Sequence, residues 1–212
     1  MAINLRVVDI YHLDVVNSFD DAEAAGLWGV IHKATTGATG HDDEYAARRQ
    51  QALDAGLLWG AYHWGTAAPV ADQVDNFLNV AQPKGDTLVA LDFEKTVGNQ
   101  MTLPMAKQFL QGIETALGRK AVLYSGDLIK SSLGATVDPF FGSHRLWLAH
   151  YNPNPVCQAS WRTYWLWQYT DKRGRPGLAP DLIPGIPGNA NGDLDCNNYD
   201  RGRAQLTAEW AS

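Results

Sequence analysis

A repeated change of hydrophobic period constrains this chain more than any other feature. Short apolar or β-branched runs lie at residues 6–10, 29–34, 57–64, 88–94 and 121–125. Each is followed by a helical pattern, at 18–26, 42–55, 69–81, 104–117 and 127–133. Ser18 suits an N-cap and Pro69 a first helical turn, while Gly26, Gly56 and Gly118 suit helix stops. Alternation of this kind with short connections builds parallel βαβ units. Three further runs, at 145–151, 165–170 and 193–196, follow with no helical pattern between them. The expected fold class is α/β: an irregular β/α (TIM-like) barrel with about eight strands and five helices. A full barrel of this type takes about 250 residues, so 212 residues suit one that lacks its last helices. A loop rich in glycine and proline spans 173–192, and the 20 residues beyond it are too few for a second domain. One domain over 1–212 is therefore expected.

The chemistry concentrates where the fourth run ends, at Leu91, Asp92, Phe93 and Glu94. Side chains two apart on a strand face the same way, about 6.6 Å apart along the backbone. In a β/α barrel the C-terminal strand ends carry the reactive groups. Asp92 and Glu94 are thus expected to project together at the mouth. Two aligned carboxyls suit glycoside hydrolysis, one protonating the leaving oxygen and one facing the cationic transition state. Spacing alone fits two other readings equally: oxygen ligands for Ca²⁺ or Mg²⁺, or a polar strand end. Asp9 closes the first run and Asp195 sits in the last. Barrel closure makes those runs neighbours, so the two acids are expected to meet. Clustered like charges raise carboxyl pKa values, which would keep a proton on Glu94.

Eight tryptophans and eight tyrosines are many for this length. Tyr62, Trp64, Tyr124, Trp147, Tyr151, Trp165, Trp167 and Tyr169 lie near expected strand ends, where flat rings suit the apolar face of a sugar. Half or more of them are expected to be core, and Trp165, Trp167 and Tyr169 could form a packing stripe.

Several function classes lack their residues. The net charge is −6, and the densest basic run, Lys172, Arg173 and Arg175, reads as a solvated loop tip, so no nucleic-acid partner is expected. The six histidines show no ligand spacing, and Cys157 and Cys196 form no C-x-x-C pair, so no metal and no cofactor are expected. Two free thiols are expected, with a single bridge as the alternative. There is no P-loop, no G-x-G-x-x-G after a strand and no G-x-S-x-G elbow. No run approaches a membrane span of ~20 apolar residues, and the first residues enter a strand-like run without a signal-peptide pattern. Synthesis in the cytoplasm without membrane association is expected.

In order along the chain, these residues resemble the family 25 glycoside hydrolases, the N-acetylmuramidase lysozymes of bacteria, fungi and phages. Asp9 ends the first strand. Lys33 to Gly37 is similar to a lysine-alanine-threonine-glutamate-glycine turn, and Gly60 to Trp64 to a glycine-alanine-tyrosine-histidine-aromatic strand. Asp92 and Glu94 match the family's D-x-E. Tyr124 and Ser125, Trp147 to Tyr151, Trp167 to Thr170, and Leu194 to Asn197 match later strands. The resemblance implies hydrolysis of the β-1,4 bond between N-acetylmuramic acid and N-acetylglucosamine in peptidoglycan glycan strands. It implies Glu94 as general acid/base, and Asp92 assisting either the substrate's N-acetyl group or a covalent intermediate. Asp9 and Asp195 would shape the charge of the site. Tyr62, Trp64, Tyr124 and Tyr151 would line the sugar cleft. A monomer acting on the cell wall after release or export, as a phage-type endolysin or a secreted enzyme, is expected.

Two departures stand out: Thr36 replaces the turn's glutamate, and Tyr11 and His12 stand where a small residue is usual. The rival readings are a non-catalytic glycan-binding barrel, which a cleft blocked by Tyr11 or His12 would favour, a chitinase-like glycosidase and a metal-dependent hydrolase. The chitinase pattern would need aspartates where this chain has Thr87 and Ala90.

Overall fold

A computed structural model describes residues 3–172 and 182–212. The strands are β1 (Val7–Ile10), β2 (Gly29–Thr36), β3 (Gly40–His41), β4 (Leu58–Trp64), β5 (Leu88–Asp92), β6 (Val122–Ser125), β7 (Leu146–Ala149), β8 (Leu166–Thr170) and β9 (Asp195–Asn198). The helices are α1 (Phe19–Ala24), α2 (Tyr45–Asp54), α3 (Val70–Ala81), α4 (Leu103–Leu117), α5 (Asp127–Leu133), α6 (Pro139–Gly142) and α7 (Arg203–Glu209). The strand order β1-β9-β8-β7-β6-β5-β4-β2, with β1 paired back to β2, closes an eight-stranded barrel, and β3 adds two residues beside β2.

The local signals act as their chemistry requires. The Ser18 hydroxyl accepts from the Asp21 N–H and caps α1. Gly118 takes φ +67 where α4 stops. Alternation along each strand separates two apolar layers. Val8, Val30, Leu91, Leu123 and Leu148 face outward under the helices. Val7, Ile31, Leu88, Ala90, Val122 and Leu166 fill the barrel interior.

Three expectations need correction. Among the described residues, seven helices form rather than five. One missed helix, α6, is a single turn with Asp138 Oδ1 accepting from the Phe140 and Phe141 N–H groups. The other, α7, offers a sequence reader only Leu206 and the following Trp210 as apolar anchors, too few to mark a period. The closing strand starts at Asp195 rather than at 193, and it runs antiparallel to both β1 and β8. No crossover helix is needed to reach such a strand. The run expected over 88–94 leaves strand geometry after Asp92. Of the loop expected over 173–192, residues 173–181, including Arg173 and Arg175, lie outside the described residues. Beyond them, Gly188 bridges to Val15 and Ile183 to Ile186.

The end of the barrel where the parallel strands begin is sealed. Trp210 is buried and donates its indole N–H to the Trp59 carbonyl at 2.7 Å. It lies so close to Gly29 that a Cβ there would meet its ring at 3.0 Å. The guanidinium of Arg145 lies over the Trp165 ring and donates to the carbonyls of Glu209 and Ser212. Access to the interior is thereby left to the other end, where the parallel strands finish.

Candidate active site

The antiparallel closing strand brings two acids together: Asp9 near the end of β1 is in register with Asp195 at the start of β9. Across the mouth, β5 ends in Asp92, and Glu94 follows two residues on. The Phe93 N–H still bonds the Tyr124 carbonyl at 2.9 Å, and its ring packs outward. Asp92 and Glu94 therefore keep the inward side. Asp9, Asp92, Glu94 and Asp195 line one narrow pit of about 40 Å³ with Tyr62, Trp64, Tyr124 and Trp147. A wider groove of about 240 Å³ adjoins it, lined by Glu94, Lys95, Gly126, Asp127, Leu128, Ala149, His150 and Tyr151. Glu94 is the residue the two cavities share.

All eight nominated site residues thus lie at the mouth. Trp165, Trp167 and Tyr169 do not. Trp167 and Tyr169 pack between barrel and helices, and Trp165 packs at the sealed end beside Trp210. Two buried histidines serve structure: His63 is stacked on Phe109 and held between Thr35 and Gln73, and His32 bonds the Lys33 carbonyl. Burial lowers both rings to about 4, which leaves them neutral near pH 7. Cys157 and Cys196 are not bridged to each other, and the buried Cys196 thiol donates to the Leu194 carbonyl at 3.3 Å. Among the described residues, no group of three or more His, Cys, Asp or Glu side chains could hold a metal.

Two side-chain amides that lie in the family-like strand motifs, Gln168 and Asn197, organise the floor. Gln168 Nε2 donates to both oxygens of Asp9, at 3.0 and 2.8 Å, and Asn197 Nδ2 donates to Oδ1 at 2.7 Å. Each amide is oriented from behind. Tyr124 and Tyr151 donate their hydroxyls to Gln168 Oε1 at 2.8 and 2.6 Å, and the Trp147 indole donates to Asn197 Oδ1 at 2.6 Å. Because those donors occupy the carbonyl oxygens, the NH₂ groups must face Asp9. The tyrosines therefore fix Asp9 as well as walling the cleft. Strand parity could have found both amides, since Asn197 is two residues from Asp195 and Gln168 alternates with the outward Trp167 and Tyr169.

The electrostatics follow from burial. Asp92 is 4% exposed, and its buried Oδ1 has no hydrogen-bond partner among the described residues. Burial first and the Glu94 carboxylate second push Asp92 well above the ordinary carboxyl range, and Lys33 opposes them. Glu94 is also raised, chiefly by burial, with Lys33 again opposing. Burial with the Asp9 charge beside it raises Asp195 strongly, and burial raises Asp9 to about 7. The site is a coupled set of acids that retains protons near neutral pH. In the ligand-free cleft the stronger upward push falls on Asp92, whereas the sequence points to Glu94 as the proton's holder.

Asp14, which no motif marked, is buried, and its Oδ2 accepts from the Tyr11 N–H at 2.9 Å. Burial raises it to about 6. A carboxyl raised on folding adds stability below its unfolded pKa, and that contribution disappears as pH climbs through the folded value. Asp14→Asn keeps an oxygen for Tyr11 and has no proton to lose. Its stability relative to wild type should therefore improve between pH 4 and pH 7.5, by on the order of 2 kcal/mol. Urea unfolding of both proteins at the two pH values checks this, and a pH-independent difference would contradict it.

A closed β/α barrel with coupled carboxyls and flat rings at its open end has the build of a sugar-cleaving barrel. The chain belongs to the glycosyl hydrolases family 25, whose family model matches residues 8–178. It is 31% identical over 186 residues to the uncharacterized protein YegX of Escherichia coli O157:H7, covering 83% of this chain and 60% of that protein. It is 23% identical over 216 residues to Lysozyme M1 of Streptomyces globisporus, covering 95% of this chain and 69% of that one. The chain thus spans about 60% of the length of the first of these relatives. The fold agrees with the crystal structure of the bacterial lysozyme from Streptomyces coelicolor, with a TM-score of 0.83 over 98% of this chain and 97% of that one at 21% identity. No helix among the described residues is long and apolar enough to cross a membrane.

Proposed function

We propose that residues 1–212 act as a single catalytic barrel, a muramidase that cleaves the β-1,4 bond between N-acetylmuramic acid and N-acetylglucosamine in peptidoglycan. Family membership and the relative named Lysozyme M1 support this reading. The observation that carries it is the position of Glu94, shared by the pit and the groove. A sugar ring in the groove and its neighbour over the mouth of the pit would lay the bond between them across that carboxyl. Glu94 protonates the leaving oxygen, and Asp92, beside it and deeper, supplies the negative charge that the oxocarbenium-like transition state needs. A bound glycan takes Glu94 out of water, which favours its protonated form and leaves the charge to Asp92. Asp9 and Asp195 shape the charge of the pit, while Tyr62, Trp64, Tyr124 and Tyr151 bound the sugars. The substrate side is a glycan strand in the cell wall, reached after release or export, and the working form is a monomer.

Mass spectrometry of peptidoglycan digested by the purified protein tests the bond specificity. New reducing ends should be N-acetylmuramic acid. Reducing N-acetylglucosamine ends would mean that the other glycosidic bond is cut and would contradict the muramidase reading, and intact glycan would leave a non-catalytic binding barrel. Tyr11 and His12 do not line the pit or the groove, so neither cavity is closed by them.

A further inference from the structure

We infer that Lys33 is a positioning residue of the cleft, its ammonium caged between two aromatic rings so that it holds one negative charge on the Asp92–Glu94 pair. The inference deepens the muramidase reading and rests on it for the kinetic consequence. Lys33 lies on β2, in register with Tyr62 of β4, and Trp64 is in register with Asp92. Its Nζ sits 4.5 Å from the centre of the Trp64 ring and 5.5 Å from that of Tyr11. A cation over ring faces is held electrostatically without giving up its charge to a single partner.

Both walls of the cage are fixed from outside. Tyr11 is held through its backbone: its N–H bonds Asp14 Oδ2, and its carbonyl accepts from Arg48 Nη1 at 2.8 Å. The next residue is pinned by the His12 N–H to Asp42 Oδ2, at 2.9 Å. The Trp64 indole donates to Thr96 Oγ1 at 2.9 Å. The sequence departure at Tyr11 and His12 therefore supplies a wall of the cage rather than a plug in the cleft.

The need for such a cation follows from the charges around it. Asp92, Asp42 and Glu94 face the Lys33 ammonium, with the neutral His63 nearby. Asp92 feels Glu94 and Asp9, and Glu94 feels Asp171. Among the described groups acting on this pair, Lys33 is the one cation. Burial and the neighbouring negative charges push both carboxyls toward their protonated forms, an acid with no anion beside it. Lys33 opposes that push on both and so favours the state with one proton and one charge, which hydrolysis uses.

Lys33→Met keeps the apolar stem against the rings and removes the charge; Lys33→Arg keeps the charge. Removing a cation that favours both ionised carboxylates raises both titrations, so the bell-shaped pH profile of kcat/KM should move upward by about one pH unit in Lys33→Met. At a pH below the wild-type optimum this is about a tenfold loss in rate. Lys33→Arg should restore the wild-type profile. Tyr11→Leu, which opens one side of the cage, should shift it by about half as much in the same direction. Carboxyl-carbon NMR titration of the labelled proteins, without substrate, should show the same upward movement of the Asp92 and Glu94 midpoints. That arm needs no activity, so a protein that proves not to cleave peptidoglycan leaves it standing. Unmoved NMR midpoints, or a Lys33→Met variant that only raises KM with the profile in place, would overturn the inference and make Lys33 a ligand for a substrate anion or a packing residue.

Discussion

Glu94→Gln should lower peptidoglycan hydrolysis by about 1,000-fold while leaving the thermal unfolding midpoint within a few degrees of wild type. The change replaces a proton donor with an amide of the same shape, and general acid–base groups contribute about 10²–10⁴ to rate. The loss should appear in kcat, because the interaction is made with the leaving oxygen in the transition state, and binding of glycan should persist. Stability is expected to hold because Glu94 is only partly buried, follows the end of β5 and contributes its backbone carbonyl, through Gln100 Nε2, to the local structure. Turbidity loss of a wall suspension, read beside a sedimentation binding assay, separates the two. A variant with more than a tenth of wild-type activity would remove Glu94 from the role of acid.

Asp92→Asn should cost about 10²–10³-fold in kcat and raise stability at the same time. The activity loss follows from deleting the anion that faces a cationic transition state in a site sheltered from water, where such charge counts most. The stability gain follows from linkage. Asp92 has its carboxyl pushed well above the usual range, chiefly by burial. Its favourable contribution to folding is present below the unfolded carboxyl pKa and falls away as pH rises through the folded value. An amide has no such dependence, so the variant should resist urea better than wild type at pH 8 and differ less at pH 4. Opposed changes of this kind are expected where a site stores buried charge for chemistry. Equal unfolding curves at both pH values, or an active variant, would count against the assignment.

Much of this was legible in the sequence because period and parity are local properties. The strand–helix alternation gave the barrel, and residues two apart in a strand gave the paired acids. Closure brought Asp9 to Asp195, although the antiparallel direction of β9 is set by register with β1 rather than by any local signal. What stayed hidden depends on long-range contact. Gln168 and Asn197 lie in family-like strand motifs, but their task shows only where Tyr124, Tyr151 and Trp147 turn their amides toward Asp9. Lys33 was visible in its turn motif, but its cage requires Tyr11 from β1's far end and Trp64 from β4. Likewise α7 has few apolar residues of its own, and Trp210 beyond it takes its meaning from Gly29 and Trp59.

The division of labour at the tip of β5 meets its most direct test in a crystal structure of the Glu94→Gln protein soaked with a peptidoglycan tetrasaccharide. The bridging oxygen of one muramic–glucosamine linkage should lie within about 3 Å of the residue-94 amide, with Asp92 below the ring that covers the pit. A glycan seated away from that amide, or one whose linkage oxygens all face other side chains, would mean that these two carboxyls do not share the work of breaking the bond.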